Sequence, residues 1–124
     1  MVVCYTRRMV NQLKAAQLKA DGRFWLTLDG KNFLGRGRVE LLQRIRETGS
    51  ISKAAKAMKM SYKAAWDAVD AMNAAWQSSL VESGPSGSRL TDDAEWLIVT
   101  FQRAEAQHAA FMANLASALP AHLA

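Results

Sequence analysis

The sequence is poor in residues that crosslink a chain or interrupt its helices, with one cysteine and two prolines among 124 residues. The single cysteine, Cys4, cannot form an internal disulfide, and no histidine or second cysteine lies near it to complete a metal site. No apolar run is long enough to cross a bilayer, and no apolar segment follows Arg7-Arg8 to complete an export signal. These absences predict a cytoplasmic protein without a membrane partner, a cofactor or a bound metal.

Patterns that support catalysis are scarce as well. The two histidines, His108 and His122, have no Ser, Cys or carboxylate at a spacing typical of a catalytic group. The sequence also has no glycine-rich phosphate-binding loop. We therefore expect a protein that is not an enzyme.

Positive charge is concentrated in one half of a chain whose length suits a single domain. The net charge is +5, but residues 1–63 contain 14 Lys or Arg and 4 Asp or Glu, whereas residues 64–124 contain 2 and 7. A solvated basic face is the plainer explanation, and a surface for nucleic-acid phosphates is the other. We favour the phosphate surface because the basic half ends inside a predicted helix-turn-helix.

The predicted helix-turn-helix occupies Gly49 to Asn73. Its first helix begins at a serine cap, Ser50 or Ser52, and contains the small pair Ala54-Ala55, which lets a second helix cross close by. The turn follows at Lys59-Met60. Two short helices joined in this way are typical of a DNA-binding motif.

The second helix has the features of a recognition helix. Ser61 is its predicted cap, and one buried face is formed by Ala65, Val69 and Met72 at i, i+4 and i+7. The outward positions are polar, aromatic and basic: Tyr62, Lys63, Trp66 and Asp67. Since the first residues of a recognition helix reach base edges in the major groove, double-stranded DNA is the predicted partner.

Nine residues are predicted to contact DNA. Base contacts are assigned to Ser61, Tyr62 and Lys63, and phosphate contacts to Ser50, Ser52, Lys53, Lys59 and Arg89. The ninth, Trp66, either stacks against a sugar edge or packs beneath the turn. Asp67 either accepts a hydrogen bond from a cytosine amino group or pairs with Lys63 at i, i+4, and the pairing is the commoner use.

The segments around this motif predict a winged domain over residues 23–91. Residues 1–22 form an N-terminal arm or a weak helix, strands follow at residues 23–28 and 31–34, and a flexible basic loop occupies residues 35–38. A helix from Arg38 to Thr48 ends at Gly49. Strands at residues 80–82 and 88–90, joined by a turn at residues 83–87, form the wing.

A long helix is predicted over residues 92–120, with Thr91 as its cap and Asp92, Asp93 and Glu95 in its first turn. Steps of three and four residues give it the seam of a coiled coil. We expect a homodimer whose contacts come from Leu97, Phe101, Ala104, His108, Phe111 and Leu115. The alternative is a core helix folded back on its own domain. The predicted fold class is therefore mainly α with small β, a winged helix-turn-helix with a long C-terminal dimerisation helix.

Five short runs carry a family resemblance: Gly-Ser-Ile-Ser at 49–52, Ser-Tyr-Lys-x-Ala-Trp-Asp-Ala at 61–68, Met-Asn at 72–73, Leu-Val-Glu at 80–82 and Leu-Thr at 90–91. Through them the chain, from about Phe24 to Met112, resembles the N-terminal DNA-binding domain of the ModE family. These are the molybdate-responsive transcriptional regulators of bacteria, whose winged helix-turn-helix is LysR-like. The predicted wing, at residues 83–88, departs from the family because it is shorter and uncharged.

The resemblance implies a homodimeric regulator that binds a palindromic operator in molybdenum-related gene control. Family members bind molybdate in a C-terminal module, and too few residues follow the long helix here to form one. We therefore expect either that a molybdate response requires a separate sensing partner or that the protein has lost the sensor. The alternative function is a winged-helix dimerisation or adaptor module that binds another protein through its acidic C-terminal half, which carries Trp96 and Phe111.

Overall fold

A computed structural model describes residues 17–121. In chain order they contain β1 (Leu26–Leu28), β2 (Lys31–Leu34), α1 (Arg36–Thr48), α2 (Ile51–Ala57), α3 (Tyr62–Trp76), β3 (Val81–Gly84), β4 (Gly87–Leu90) and α4 (Asp92–Ala121). The predicted fold class, mainly α with a wing and a long C-terminal helix, is confirmed. The predicted arm or helix at residues 1–22 lies mostly outside the described residues.

The first hairpin pairs β1 with β2 in antiparallel register, with Leu28 opposite Lys31. Its turn is Asp29-Gly30, and both residues have positive φ, 51° and 78°. Two positive φ values are the mark of a type I′ turn, for which Asp-Gly is a preferred pair. The first strand begins at Leu26 rather than at the predicted Arg23.

Helix α1 begins two residues earlier than predicted. The basic loop expected at residues 35–38 is wrong, because Gly35 is the N-cap and Arg36 is already helical. The Val39 N–H donates to the Gly35 carbonyl at 3.1 Å, and Arg38 Nη1 donates to the Phe33 carbonyl at 2.8 Å. The first bond closes the first turn of the helix, and the second holds the start of the helix against β2.

The two helices of the helix-turn-helix begin at serine caps. Ser50 Oγ accepts from the Lys53 N–H at 3.1 Å, and Ser61 Oγ accepts from the Ala64 N–H at 3.0 Å. Ser50 is therefore the first cap, and the alternative cap, Ser52, lies exposed within α2. Each cap satisfies an amide that the helix itself leaves without a partner.

The turn between α2 and α3 closes in a Schellman motif. The Met60 N–H donates to the Ala55 carbonyl at 3.0 Å, and the Lys59 N–H donates to the Lys56 carbonyl at 3.1 Å. Lys59 has a φ of 55°, in the left-handed region that this motif requires and that glycine most often occupies. The small pair Ala54-Ala55 is buried, as the close crossing of the helices requires.

The wing is a longer hairpin with a tighter turn than the sequence predicts. Its strands reach Gly84 and begin again at Gly87, so the turn contains two residues instead of the five predicted. The Ser88 N–H donates to the Gly49 carbonyl at 2.9 Å. The wing is thereby bonded to the corner where α1 passes into α2.

The core lies in the compact unit Phe24–Ala104. Its largest fully buried side chains are Phe101, Leu34, Leu41, Leu42, Ile45, Met72, Leu80 and Val69. The second compact unit includes the described residues 17–23 and 105–121. None of the helices in the described part of the chain has the length and apolar character to cross a membrane.

Candidate nucleic-acid interface

The first turn of α3 faces solvent. The opposite face is fixed in the core by Ala65, Val69 and Met72, which are all buried as predicted. This leaves Tyr62 56% exposed and Lys63 exposed beside it. A helix that buries one stripe and presents a polar first turn has the geometry needed to enter a major groove.

Lys63 is paired along the helix. Its Nζ donates to Asp67 Oδ2 at 2.7 Å, which confirms the i, i+4 pairing favoured from the spacing. This hydrogen bond, followed by the charge of Asp67, raises the pKa of Lys63 above its ordinary value of 10.5. Lys63 therefore carries its full charge at neutral pH, with the charge partly balanced one turn away.

Tyr62 is supported in the same way by Trp66. Their rings meet edge to face, with centroids 6.1 Å apart and an interplanar angle of 71°. Trp66 is half-buried and packs against the core, so part of its side chain is used for packing, as one of the two predicted alternatives requires. An edge-to-face aromatic contact restricts both rings. Trp66 thus helps to orient Tyr62, and its contact with a sugar edge stays a prediction.

The unpaired positive charge nearest to α3 in sequence lies on α2 and its turn. Lys53, Lys56 and Lys59 are exposed, and none has an ion pair within residues 17–121. Lys53 and Lys59 were predicted, whereas Lys56 was missed. Lys56 is three residues after Lys53, so the helical spacing alone would have placed it on the same face.

Three arginines outside the helix-turn-helix lie next to carboxylates. Arg46 binds Glu95 at 2.6 Å, and Arg44 lies 3.6 Å from Glu47. In the wing, Arg89 Nη2 donates to Glu82 Oε1 at 3.1 Å. Arg89 must therefore release the Glu82 carboxylate before it can make the predicted phosphate contact.

The predicted serine contacts have different surroundings. Ser50 is half-buried with its Oγ used as a helix cap, whereas Ser52 is exposed on α2. Ser61 is exposed and also acts as a cap. A capping hydroxyl accepts from the backbone and keeps its own hydrogen for donation, so a phosphate bond remains compatible with the cap.

The residues predicted to form a dimer fall into two groups. Leu97 and Phe101 are buried in the core of Phe24–Ala104, and Ala104 is half-buried. This burial matches the alternative of a helix folded back on its own domain. Among residues 105–121, Phe111 is 61% exposed, Leu115 is 40% exposed and His108 is half-buried.

The domain has a clear family match. Residues 37–95 match the family of bacterial regulatory helix-turn-helix proteins, lysR family. A solved structure, the CbnR_DBD-DNA complex, is similar with a TM-score of 0.56 at 19% identity, covering 68% of this chain and 99% of that one. At this identity the likeness shows the fold, which is the winged helix-turn-helix predicted from the sequence.

Two relatives are similar over about two thirds of this chain. The molybdenum-pterin-binding protein MopB of Rhodobacter capsulatus is 40% identical over 91 residues, which cover 69% of this chain and 34% of MopB. The transcriptional regulator ModE of Yersinia pestis is 40% identical over 86 residues, which cover 65% of this chain and 33% of ModE. The chain thus spans about a third of the length of these relatives. The chain is similar to the lysR family of bacterial helix-turn-helix regulators over residues 37–95, and to ModE and MopB over about a third of their length.

Proposed function

We propose that this chain is a sequence-specific DNA-binding transcriptional regulator. The observation that carries the proposal is the exposed first turn of α3, with Tyr62 and Lys63, which follows the exposed, unpaired lysines of α2 and its turn in the helix-turn-helix. A helix-turn-helix supplies base contacts from its second helix and phosphate contacts from the helix and turn before it. Several of the similar proteins are transcriptional regulators, which supports the same function.

In this proposal the two helices have separate tasks. Ser61, Tyr62 and Lys63 contact base edges, and Lys63 prefers the O6 and N7 atoms of guanine. Lys53, Lys56 and Lys59 contact phosphates and fix the position of the domain on the duplex. Arg89 adds a phosphate contact from the wing after it leaves Glu82.

The controlled genes are proposed to serve molybdenum metabolism, with molybdate sensed by a separate partner chain. Support for the link to molybdenum comes from the relatives, which include the molybdenum transport protein ModE of Azotobacter vinelandii at 33% identity. We also propose that the chain binds a palindromic operator as a homodimer. The exposed pair Phe111 and Leu115, at i and i+4 on α4, supports this arrangement.

Selection of bound sequences from a random DNA pool, with and without molybdate, tests these proposals together. We expect a palindromic motif that is the same in both conditions for the isolated chain. A motif without two-fold symmetry would contradict the homodimer, and a motif that depends on molybdate would contradict the separate sensor. No enrichment of any sequence would contradict DNA binding itself.

Two lysine variants test the division between base and phosphate contacts. Lys63→Ala should weaken binding to the operator by about 10- to 100-fold and binding to random duplex much less, because it removes a base contact. Lys53→Ala should weaken both alike and lower the salt slope by about one. A titration in which Lys63→Ala matches the wild type on its operator would refute the base contact.

An adaptor that binds another protein is the second candidate, because Trp96 is 59% exposed and Val99 is 45% exposed on α4. DNA binding falls steeply with ionic strength, whereas association through apolar surface does not. A wild-type chain that fails to retard random duplex at low salt, yet keeps a protein partner at high salt, would favour the adaptor.

A further inference from the structure

The Lys63–Asp67 pair lies on the exposed face of α3 near its N-terminus, and the DNA-binding role given to Lys63 alone leaves Asp67 unexplained. The two side chains are 84% and 63% exposed, and 2.7 Å separates Nζ from Oδ2. An ion pair this exposed adds little to folding stability, because water screens it. A carboxylate at this position also repels the phosphates of any duplex that approaches α3. We therefore expect Asp67 to contribute to something other than folding stability or general affinity for DNA.

The pairing changes what Lys63 offers to different DNA sequences. An unpaired, exposed lysine can neutralise a phosphate on any duplex, so it raises the affinity for all DNA sequences equally. When Asp67 holds Lys63, the Lys63 ammonium lies along the helix and still has two N–H donors available. Those donors suit the O6 and N7 acceptors of guanine. On a sequence without these groups the carboxylate gains nothing that offsets its repulsion.

We propose that Asp67 is a positioning residue that determines specificity by holding Lys63 away from the phosphate backbone and directing it to a G·C base pair. The inference rests on the proposed DNA-binding function and deepens it. Asp67 acts by penalising wrong sequences more than by strengthening the right one. Such a repulsive element is a common source of discrimination between related partners.

Asp70 provides a matched control because it is an exposed carboxylate on the same helix and has no ion pair within the described chain. Removing either acid changes the net charge by the same amount. Only the change at Asp67 releases Lys63. Asp67→Asn and Asp70→Asn therefore separate a specific effect from a general change in charge.

The experiment measures dissociation constants of the wild type and both variants for the selected operator and for random duplex, each across a salt series. Asp67→Asn should lower the ratio of random to operator dissociation constants by about tenfold, the size of one good base contact, and steepen the salt slope on random duplex by about one. Asp70→Asn should change that ratio by less than about twofold, as a charge at the rim does. Asp67→Glu, which can re-form the i, i+4 pair, should recover most of the discrimination.

A double-mutant cycle gives the decisive result. In a Lys63→Met background the effect of Asp67→Asn on the ratio should disappear, because the two residues act together. If Asp67→Asn behaves like Asp70→Asn, or keeps its effect without Lys63, the inference is overturned while the DNA-binding proposal stands. If the wild type binds neither duplex, the proposed function fails first and the inference falls with it.

Discussion

Lys59 occupies a backbone conformation in which glycine is the usual residue. It is the left-handed residue of the Schellman motif after α2, with a φ of 55°. This conformation costs a residue with a Cβ roughly 1–2 kcal/mol, whereas glycine adopts it freely. A lysine at this position therefore gives up some stability and adds a positive charge beside the recognition helix.

Lys59→Gly should separate these two effects. We expect the free energy of unfolding to rise by about 0.5–1 kcal/mol, since the relief of strain exceeds the extra chain entropy of glycine. Binding to random duplex should weaken, with a salt slope lower by about one, because one phosphate contact is lost. Denaturant unfolding and salt-dependent titration measure the two quantities. Lys56→Ala is the control, since it removes a neighbouring charge without relieving strain, and a Lys59→Gly variant that is less stable would contradict the account.

Residue-level patterns predicted the caps correctly and the ion pairs only where they are local. Ser61 and Gly49 were identified because capping depends on a few neighbouring residues. The Lys63–Asp67 pair follows from helical spacing for the same reason. The contact of Arg46 with Glu95 joins residues 49 positions apart, so it depends on how α1 and α4 pack and has no local signature.

The start of α1 shows where propensity is overridden at the scale of an element. Gly35-Arg36-Gly37-Arg38 suggests a loop because glycine disfavours a helix interior by about 1 kcal/mol. In the first turn this cost is opposed by a hydrogen bond to the preceding strand, in which Arg38 donates to the Phe33 carbonyl of β2. The sequence shows the glycines, whereas the carbonyl that receives Arg38 is placed only by the folded hairpin.

The wing is attached to the helix-turn-helix by hydrogen bonds to the Asn73 side chain and to the backbone of Gly49. Asn73 Oδ1, near the end of α3, accepts from the Leu80 N–H at 2.8 Å and from the Val81 N–H at 3.3 Å. At the other strand, Gly49 accepts from the Ser88 N–H at 2.9 Å. These bonds fix both strands of the wing to the elements that present the DNA-binding residues.

Gly87→Ala should break the second attachment. A Cβ at this position would lie 2.6 Å from the Gly49 carbonyl oxygen, and the φ of 115° is one that an L side chain rarely adopts. We expect the free energy of unfolding to fall by about 1–3 kcal/mol, the cost typical of a forced backbone outlier. Denaturant unfolding measures the change.

Gly84→Ala is the control in the same hairpin, because no atom lies within 4 Å of its Cβ position and its φ is outside the left-handed region. Its stability should stay within about 0.5 kcal/mol of the wild type, as is usual for an exposed substitution. Equal losses in the two variants would show that the hairpin tolerates no alanine anywhere and would refute the specific contact with Gly49.

At the scale of the whole molecule, the number of basic residues in the first half of the sequence is larger than the number that remain unpaired on the folded surface. The first half of the chain holds 14 of the 16 basic residues, yet Arg44 and Arg46 face carboxylates in the folded state. Lys53, Lys56 and Lys59 keep their charges unpaired within residues 17–121. Folding thus leaves unpaired charge on the helix-turn-helix, a result that a count of charges along the chain does not give.

The long helix also carries exposed apolar side chains, and in the proposed homodimer these side chains form the interface. Leu97 and Phe101 are taken up by the core of Phe24–Ala104, so Phe111 and Leu115 are the large apolar residues of the predicted seam that stay exposed. Burial of such side chains against a second copy is favourable, and a charge placed among them opposes it. Phe111→Glu should therefore convert a dimer into a monomer in sedimentation equilibrium.

The monomer should also bind a palindromic operator at least about 100-fold more weakly, because the two half-sites are then no longer bound by linked domains. Its affinity for an isolated half-site should stay close to that of the wild type, since α2 and α3 are unchanged. Ala109→Glu adds the same charge about 160° around the helix from Phe111 and should leave the dimer intact. A wild type that sediments as a monomer while binding a palindrome with full affinity would contradict this use of α4, because two-fold symmetry would then have to arise only on the DNA.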